Sequence, residues 1–198
     1  MWGLVESGSI TKIINKPKGL VVGDIRYSRK IFELWSKSEL EAIGIYEVEF
    51  NNTNKKDEQW YINTNQSFAF AGGKITASYG SATAKAHADT LFTAQDESDG
   101  KGTEGEVKDE GLKTKLIRNV KAQAAGILQN TDWYIVRKAD AGTAVPSAIT
   151  NHRAAVRTKA AEQETAITNA ADTPALETLY TRNENGVRPL GELPTLES

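Results

Sequence analysis

Two helical patterns of similar length, joined by a short connection, occupy residues 112–167 and constrain the fold more than any other stretch. In the first pattern apolar residues recur mostly at intervals of three or four, and in the second at intervals of four or seven, which places one apolar stripe on each helix. The first helix is predicted over about residues 112–129, and Pro146 suits the first turn of the second. Two amphipathic helices on a short connection predict an antiparallel helical hairpin. The apolar positions are Leu116, Val120, Ala124, Ile127 and Leu128 in the first helix and Ile149, Val156, Ala160 and Ile167 in the second.

The hinge between the two helical patterns carries Asp132, Trp133 and Tyr134. The two aromatic residues are bulky enough to act as a wedge that closes the open end of the hairpin. The apolar face of the second helix passes through Arg153, so its guanidinium is expected to meet a partner. Asp132 is the nearest candidate, because an arginine fork on a carboxylate holds two elements in register. The alternative is that Arg153 and Arg157, one turn apart, form a solvated face.

A series of short motifs runs through this region. They are Arg118-Asn119, Ile127-Leu128, Thr131-Asp132-Trp133, Arg137, Val145-Pro146, Arg153 and Val156-Arg157. The series resembles a C-terminal module of tailed-bacteriophage proteins, described as tail assembly chaperones, tail fibre assembly proteins or tail-associated structural proteins. The resemblance covers about a quarter of the chain, and residues 2–46 are also similar to the front module of such proteins. One departure is His152, where many relatives carry a tyrosine.

The resemblance implies a virion structural protein of the tail: a tail fibre, baseplate or adaptor component. Such a protein acts through contacts with other phage tail proteins, is expected to form a homo-oligomer, and is assembled in the host cytoplasm into the virion. The alternative is a tail fibre assembly chaperone that is absent from the finished particle. A tail-borne enzyme that degrades the host envelope is the least favoured interpretation, because no catalytic constellation stands out in the sequence.

The whole chain predicts an α+β protein in four segments. Residues 1–80 contain short alternating apolar runs and many aromatics, which predict a small antiparallel β-domain with one short helix. Residues 81–111 are polar and acidic, with too few apolar side chains for a core, and are predicted to be a linker or an arm that orders against a partner. Residues 112–182 hold the hairpin and a short third helix. Residues 183–198 are predicted to be an extended arm with leucine pegs, a frayed terminus being the alternative.

Local signals place the ends of the two short helices. Ser36 and Glu39 match a capping box, in which each side chain satisfies a free amide of the helix start. Gly44 can adopt the left-handed conformation that stops this helix. Before the last helix, Thr173 is predicted to be the N-terminal cap, with Pro174 in the first turn.

Candidate chemical motifs are few. The H-x-D pair of His87 and Asp89 has no third ligand nearby, so no metal site is predicted there, and His152 is read as an ordinary helical residue. Residues 100–105 match the dinucleotide fingerprint by letters, but no strand precedes them and acidic residues flank them. The same stretch imitates a calcium loop, yet Gln95 stands where its first carboxylate is expected. The chain is therefore not expected to be an enzyme, and no catalytic residue, cofactor or metal is predicted.

Composition bounds the partners. The formal net charge of −2 indicates no strongly basic face, so nucleic acid is not an expected partner. The chain has no cysteine, which excludes disulfides and thiolate metal sites. No stretch approaches the roughly 18 apolar residues of a membrane helix, and Met1–Glu6 does not match a secretory signal. A soluble protein made in the cytoplasm, with no membrane insertion, is the expectation.

Overall fold

The computed structural model describes residues 1–64 and 66–196 of the chain. These residues divide into two compact units, Met1–Thr83 and Ala84–Ser198. The first unit is built mainly of strands, and the second is mainly helical. The α+β class predicted from the sequence is therefore confirmed.

The described residues of the first unit, 1–64 and 66–83, form eight short strands and two short helices, followed by a two-residue strand at the boundary. Its elements are β1 (Trp2–Glu6), β2 (Ser9–Ile14), β3 (Leu20–Val22), β4 (Ile25–Tyr27), α1 (Ile31–Leu34), α2 (Lys37–Ala42), β5 (Ile45–Asn51), β6 (Tyr61–Ile62), β7 (Ser67–Ala71), β8 (Lys74–Ser78) and, at the boundary, β9 (Thr83–Ala84).

The main sheet of the first unit has the strand order β2-β1-β5-β8-β7. The neighbouring pairs β1/β2, β1/β5 and β7/β8 are antiparallel, as predicted for this region. The pair β5/β8 is parallel, with Val48 opposite Ile75, so the sheet is mixed rather than purely antiparallel. A parallel pair requires a crossover between its strands, and here the connection from β5 to β8 includes β6 and β7. Such a crossover leaves no local signal in the sequence.

Apolar side chains fill both faces of this sheet. On one face Ile45 lies in a cluster with the buried side chains of Leu4 and Ile14, which α1 and α2 help to cover. On the other face Val48 and Ile75 form the centre of a second cluster. Alternation along β5 explains the division, because residues 45 and 48 point to opposite sides of a strand.

The predicted start and stop of α2 are confirmed. The Ser36 hydroxyl accepts a hydrogen bond from the Glu39 backbone N–H at 3.3 Å, and the Glu39 carboxylate accepts one from the Ser36 N–H at 2.7 Å. The Ser36 hydroxyl also donates to the Glu39 carboxylate at 2.7 Å. This bond, followed by the one from the Ser36 amide, holds the pKa of Glu39 below its usual value. Gly44 follows the helix with φ +81°, and a Cβ there would lie 2.6 Å from the Val5 carbonyl oxygen.

The second unit is built around two long antiparallel helices. Its elements are β10 (Thr90–Leu91), α3 (Ala94–Ser98), β11 (Val107–Asp109), α4 (Leu112–Gln129), α5 (Asp132–Ala141), α6 (Ser147–Asn169) and α7 (Thr173–Tyr180). Among the described helices, none combines the length and apolar character needed to cross a membrane.

Helices α4 and α6 form the predicted antiparallel hairpin. Near one end, the Lys113 ammonium donates to the Thr168 carbonyl at 2.8 Å. Near the other end, Arg153 donates to the Leu128 carbonyl at 2.8 Å. The chain therefore runs up one helix and down the other. The predicted stripe residues Leu116, Val120, Ala124, Ile149, Val156, Ala160 and Ile167 are all buried, and Ile127 and Leu128 are half-buried.

The segment predicted to be a linker carries secondary structure and contributes to the second unit. Strands β10 and β11 pair across α3, which starts at a capping box of Thr93 and Asp96. The preceding residues also bond to the start of α4, where the Leu112 and Lys113 amides donate to the carbonyls of residues 86 and 87. Low apolar content was the basis of the linker prediction. Here hydrogen bonds to the start of α4 and to α7 hold a segment that has few apolar groups of its own.

The cap of α7 is Asp172 rather than the predicted Thr173. The Asp172 carboxylate accepts a hydrogen bond from the Ala175 amide at 2.8 Å, which is the bond an N-cap makes. Thr173 is buried, and its hydroxyl instead donates to the Lys85 carbonyl at 2.6 Å. Thr173 thus ties the segment before β10 to the last helix.

The chain after α7 folds back onto its own unit. The buried Leu190 donates its amide to the Leu179 carbonyl at 3.0 Å. Gln163 of α6 donates to the Gly191 carbonyl at 3.0 Å. Leu190 is therefore a peg, as the leucine pattern predicts, but it is seated in its own chain. The last two residues of the predicted arm, Glu197 and Ser198, lie outside the described residues.

Candidate functional site

The best-defined polar site lies where α4 ends and α5 begins, and Arg153 of α6 is its centre. Arg153 is 7% exposed. Its Nη1 lies 2.8 Å from the Leu128 carbonyl oxygen, 2.7 Å from the Thr131 hydroxyl and 2.8 Å from a carboxylate oxygen of Asp132. The Thr131 hydroxyl donates in turn to the Leu128 carbonyl at 2.9 Å. One buried guanidinium therefore connects the end of one helix, the turn and the start of the next.

Helix electrostatics explains this arrangement. The last carbonyls of a helix have no partner within the helix and carry a partial negative charge. Arg153 brings a positive charge to the Leu128 carbonyl at that end. Asp132 occupies the first turn of α5, where a carboxylate is favoured by the opposite end of the helix dipole. The same cation thus satisfies one helix end directly and holds the carboxylate that favours the next helix.

The structure brings Arg153 and Asp132 together as the hairpin hypothesis expects, with two differences. All three polar contacts of Arg153 named above involve a single nitrogen, so they are not the two-pronged fork on the carboxylate that the sequence suggested. Arg157 does not share the site: it is exposed, and its guanidinium donates only a long 3.5 Å bond to the Arg153 carbonyl. The solvated-face interpretation therefore fits Arg157 and is wrong for the buried Arg153.

The aromatic pair of the hinge does not act as a buried wedge. Trp133 is 51% exposed, and its ring centre lies 3.8 Å from that of the half-buried Tyr134. The Arg137 guanidinium lies 4.7 Å from the Trp133 ring centre and 5.4 Å from that of Tyr134. Its buried Nε has no hydrogen-bond acceptor in the described part of the chain. The three side chains form an aromatic–arginine cluster on the surface.

Helix α5 was missed by the sequence reasoning, which treated residues 131–134 as a hinge and predicted no helix between the two long ones. None of its residues is buried, and Ile135 and Val136 are 44% and 65% exposed. Two signals could have found it. Asp132 is an acidic residue in a first turn, and Gly142 has the left-handed conformation, φ +68°, that commonly ends a helix.

Asp89 of the H-x-D pair has a structural task at the start of α4. Its carboxylate accepts a hydrogen bond from the Gly111 amide at 2.7 Å and one from the Thr114 hydroxyl at 2.7 Å. These bonds, the Gly111 amide first, hold the pKa of Asp89 below its usual value. The aspartate therefore holds the residue before α4 and the first turn of that helix, which begins some twenty residues later in the chain.

The glycine-rich stretch is a pair of turns. Gly100 and Gly105 adopt left-handed backbone conformations on either side of it, with φ +71° and +83°. Asp96, which precedes it, is paired with Lys108 at 3.0 Å. The Thr93 amide, followed by Lys108, lowers the pKa of the Asp96 carboxyl to about 2. Within the described ranges, no group of three or more acidic or histidine side chains is arranged to hold a metal ion.

The chain was compared with protein-family models, curated proteins and solved structures. No family model, curated protein or solved structure matches the chain. Thr131, Asp132 and the buried Arg153 form a polar cluster, the lock. It lies beneath α5, which exposes aromatic and aliphatic side chains.

Proposed function

We propose that this chain is a structural protein of a bacteriophage tail, a fibre, baseplate or adaptor component that acts through protein–protein contacts. The proposal includes several copies in the assembled tail and no catalytic step. It starts from the resemblance of the hairpin motifs to a module of tail-associated phage proteins. The chain would be assembled in the host cytoplasm and retained in the virion.

One observation supports the proposal most strongly. Residues that carry the resemblance lie at the same end of the second unit, although up to 25 positions separate them in sequence. Thr131, Asp132 and Arg153 form the buried lock, and Trp133 and Arg137 form the cluster on the surface above it. A rigid base beneath exposed aromatic and arginine side chains is the arrangement expected of a contact surface, because aromatics and arginine dominate protein interfaces.

The first test is quantitative mass spectrometry of density-purified phage particles. The amount of this chain is compared with that of the major tail proteins. A reproducible, stoichiometric presence is expected for a virion component. Absence from the particles, together with abundance in the infected-cell lysate, would reject the structural role.

A second test asks whether the surface cluster is the contact. Phage that encode Trp133→Ala should incorporate fewer copies of the chain, because an exposed aromatic anchor is lost while the buried lock remains. Val187→Ala is the matched control, since Val187 is an apolar side chain, 57% exposed, outside both the cluster and the resembling motifs. Equal incorporation of both variants would remove the cluster from the proposed interface.

The second candidate function is a tail fibre assembly chaperone that is absent from the mature particle. The observation that favours it is the exposed apolar surface of α5, where Trp133, Ile135 and Val136 are each at least 44% exposed. Exposed apolar surface is what a protein needs to hold unfinished clients. The particle measurement separates the two functions, because only the chaperone is found in the lysate and not in the particle.

A further inference from the structure

The first unit carries a basic β-hairpin whose charged side chains are exposed. We define it as residues 16–30, which include β3 and β4. It carries five cationic side chains and one acidic one, a formal charge of +4 in a chain whose total is −2. Arg26 and Arg29 line the same open cleft, of about 640 Å³. The cationic residues, all exposed, are Lys16, Lys18, Arg26, Arg29 and Lys30.

The charges of the basic hairpin are not neutralised within the described residues. Among the described residues of the first unit, 1–64 and 66–83, no carboxylate lies within ion-pair distance of any of its five cations. Exposed lysines elsewhere commonly do have such partners: Lys37 pairs with Glu41, and Lys74 with Glu49. The basic hairpin is therefore a surface whose charge is available to a partner.

The second unit carries a surface of the opposite sign. We define the acidic segment as residues 94–110, with seven acidic residues and two lysines, a formal charge of −5. Asp96 is used internally, by Lys108, and Glu110 pairs with Arg118. Glu104, Glu106 and Asp109 are exposed and have no cationic partner in the described part of the chain.

Each surface also exposes aliphatic side chains on a two-stranded ladder. On the basic hairpin, Val21 lies opposite Arg26 and is about half exposed. Beside the acidic segment, Leu91 of β10 lies opposite Val107 of β11, and both are about half exposed. Aliphatic surface surrounded by charges of one sign, facing the same arrangement with the other sign, is what a complementary polar interface requires.

We propose that the basic hairpin of one copy binds the acidic segment of a second copy, so that the chain associates head to tail. The two surfaces are different patches on one molecule, so the contact is heterologous and leads to a ring or to an open filament. Opposite charges steer the copies together and fix their orientation. The inference stands on surface charge and exposed aliphatic side chains and does not depend on the tail function.

The association is expected to be weak and strongly dependent on salt. Individual exposed ion pairs contribute little, and two short hairpins provide less surface than a permanent interface. The full chain is examined by analytical ultracentrifugation over a range of concentrations. Self-association is expected at about 0.05 M salt. It is expected to be lost at about 0.5 M, where screening limits the interaction between exposed charges to a few ångströms. A chain that stays monomeric at low salt, or associates equally at both, overturns the proposal.

Two charge-reversal variants give a sharper test. R26E/R29E removes the charge of the basic hairpin, and E104K/E106K removes most of that of the acidic segment. All four side chains are exposed and unpaired among the described residues, so both variants should keep the circular dichroism and melting of the parent. Each variant alone is expected to be monomeric at low salt.

Mixing the two variants decides the matter. The first retains an intact acidic segment, and the second retains an intact basic hairpin, so an equimolar mixture should form a complex with about the affinity of the parent chain. Failure of the mixture to associate, or unchanged self-association of either single variant, overturns head-to-tail binding. Binding of a DNA oligonucleotide by the parent chain, lost in R26E/R29E while self-association is absent, would assign the basic hairpin to nucleic acid instead.

Discussion

At the scale of single residues, the hairpin depends on Arg153 more than on any surface charge. Its guanidinium nitrogen satisfies a helix-end carbonyl and the hydroxyl of Thr131, which is 2% exposed. Removing Arg153 leaves the Leu128 carbonyl with its bonds from the Thr131 amide and hydroxyl, at 3.0 and 2.9 Å, but takes away a charged donor. A hydrogen bond from a charged group contributes about 1.5–3 kcal/mol. The Asp132 side chain, by contrast, is 55% exposed. Water can therefore solvate its carboxylate when the ion pair with Arg153 is lost.

Replacing Arg153 with alanine is therefore expected to lower the free energy of unfolding by about 3 kcal/mol. Arg153→Lys should lose less, because the ammonium keeps the charge but reaches fewer of the acceptors. Asp132→Asn should cost below about 1 kcal/mol, as expected for a partly exposed pair. Urea denaturation followed by helical circular dichroism measures all three.

The control for this series is Arg157→Ala, on the same helix one turn later. Arg157 is exposed, so its removal should change the free energy of unfolding by less than about 0.5 kcal/mol. If Arg153→Ala unfolds at the same urea concentration as Arg157→Ala, the buried lock contributes nothing to stability.

Part of this site could be predicted from the sequence. The helical spacing places Arg153 on the apolar face, and a buried arginine requires acceptors, so a carboxylate near the turn was a reasonable partner. The Leu128 carbonyl could not be predicted, because every residue carries a carbonyl and only the end of a helix leaves one free. The surface position of Trp133 depends on α5, whose residues make no core and therefore leave no clear apolar stripe.

At the scale of secondary-structure elements, the glycine just before α4 and the glycine inside α4 are expected to respond in opposite ways to an added methyl group. Gly111 is the N-cap, and a Cβ there would lie 2.4 Å from the carbonyl carbon and oxygen of Ala88. Both are backbone atoms, which cannot turn away as a side chain would. Gly126 lies inside the same helix, and a Cβ there would meet nothing within 4 Å.

Gly111→Ala is expected to lower the free energy of unfolding by about 1–3 kcal/mol, because the segment before β10 must move away from the helix. Gly126→Ala should raise it by about 0.5–1 kcal/mol, since alanine restricts the unfolded chain and favours the helix. Thermal melts of the two variants, run beside the parent chain, show opposite shifts. Shifts of the same sign would contradict the close approach at Gly111.

Helices with a regular spacing of apolar residues could be predicted from the sequence. Elements stabilised mainly by contacts with distant parts of the chain could not. The bounds of α4 and the buried stripe of α6 follow from spacing alone, since burial of that stripe drives the packing of the two helices. The segment with β10, α3 and β11 has few apolar residues and is stabilised by caps and by bonds to α4 and α7. Those partners lie far away in sequence, so local composition indicated a linker.

At the scale of the whole molecule, lowered carboxyl pKa values make the second unit sensitive to acid. The Gly111 amide holds the pKa of Asp89 below its usual value, and the Thr93 amide and Lys108 lower that of Asp96 to about 2. A carboxyl whose pKa is lower in the folded state stabilises that state above its unfolded pKa of about 3.9. The stabilisation is lost as pH falls through the folded value, so the loss should fall between about pH 4 and pH 2.

Helical circular dichroism during urea unfolding, repeated between about pH 7 and pH 2, measures this loss, because the long helices belong to the second unit. The parent chain should lose stability progressively below about pH 4. The double variant Asp89→Asn, Asp96→Asn should be less stable at neutral pH and should depend less on pH in that range, since an amide cannot titrate. Asp140→Asn is the control, because Asp140 is exposed and makes no ion pair within the described residues, and it should follow the parent. If the double variant keeps the full acid dependence of the parent, other carboxyls govern acid unfolding, and the hydrogen bonds of Asp89 and Asp96 are not its cause.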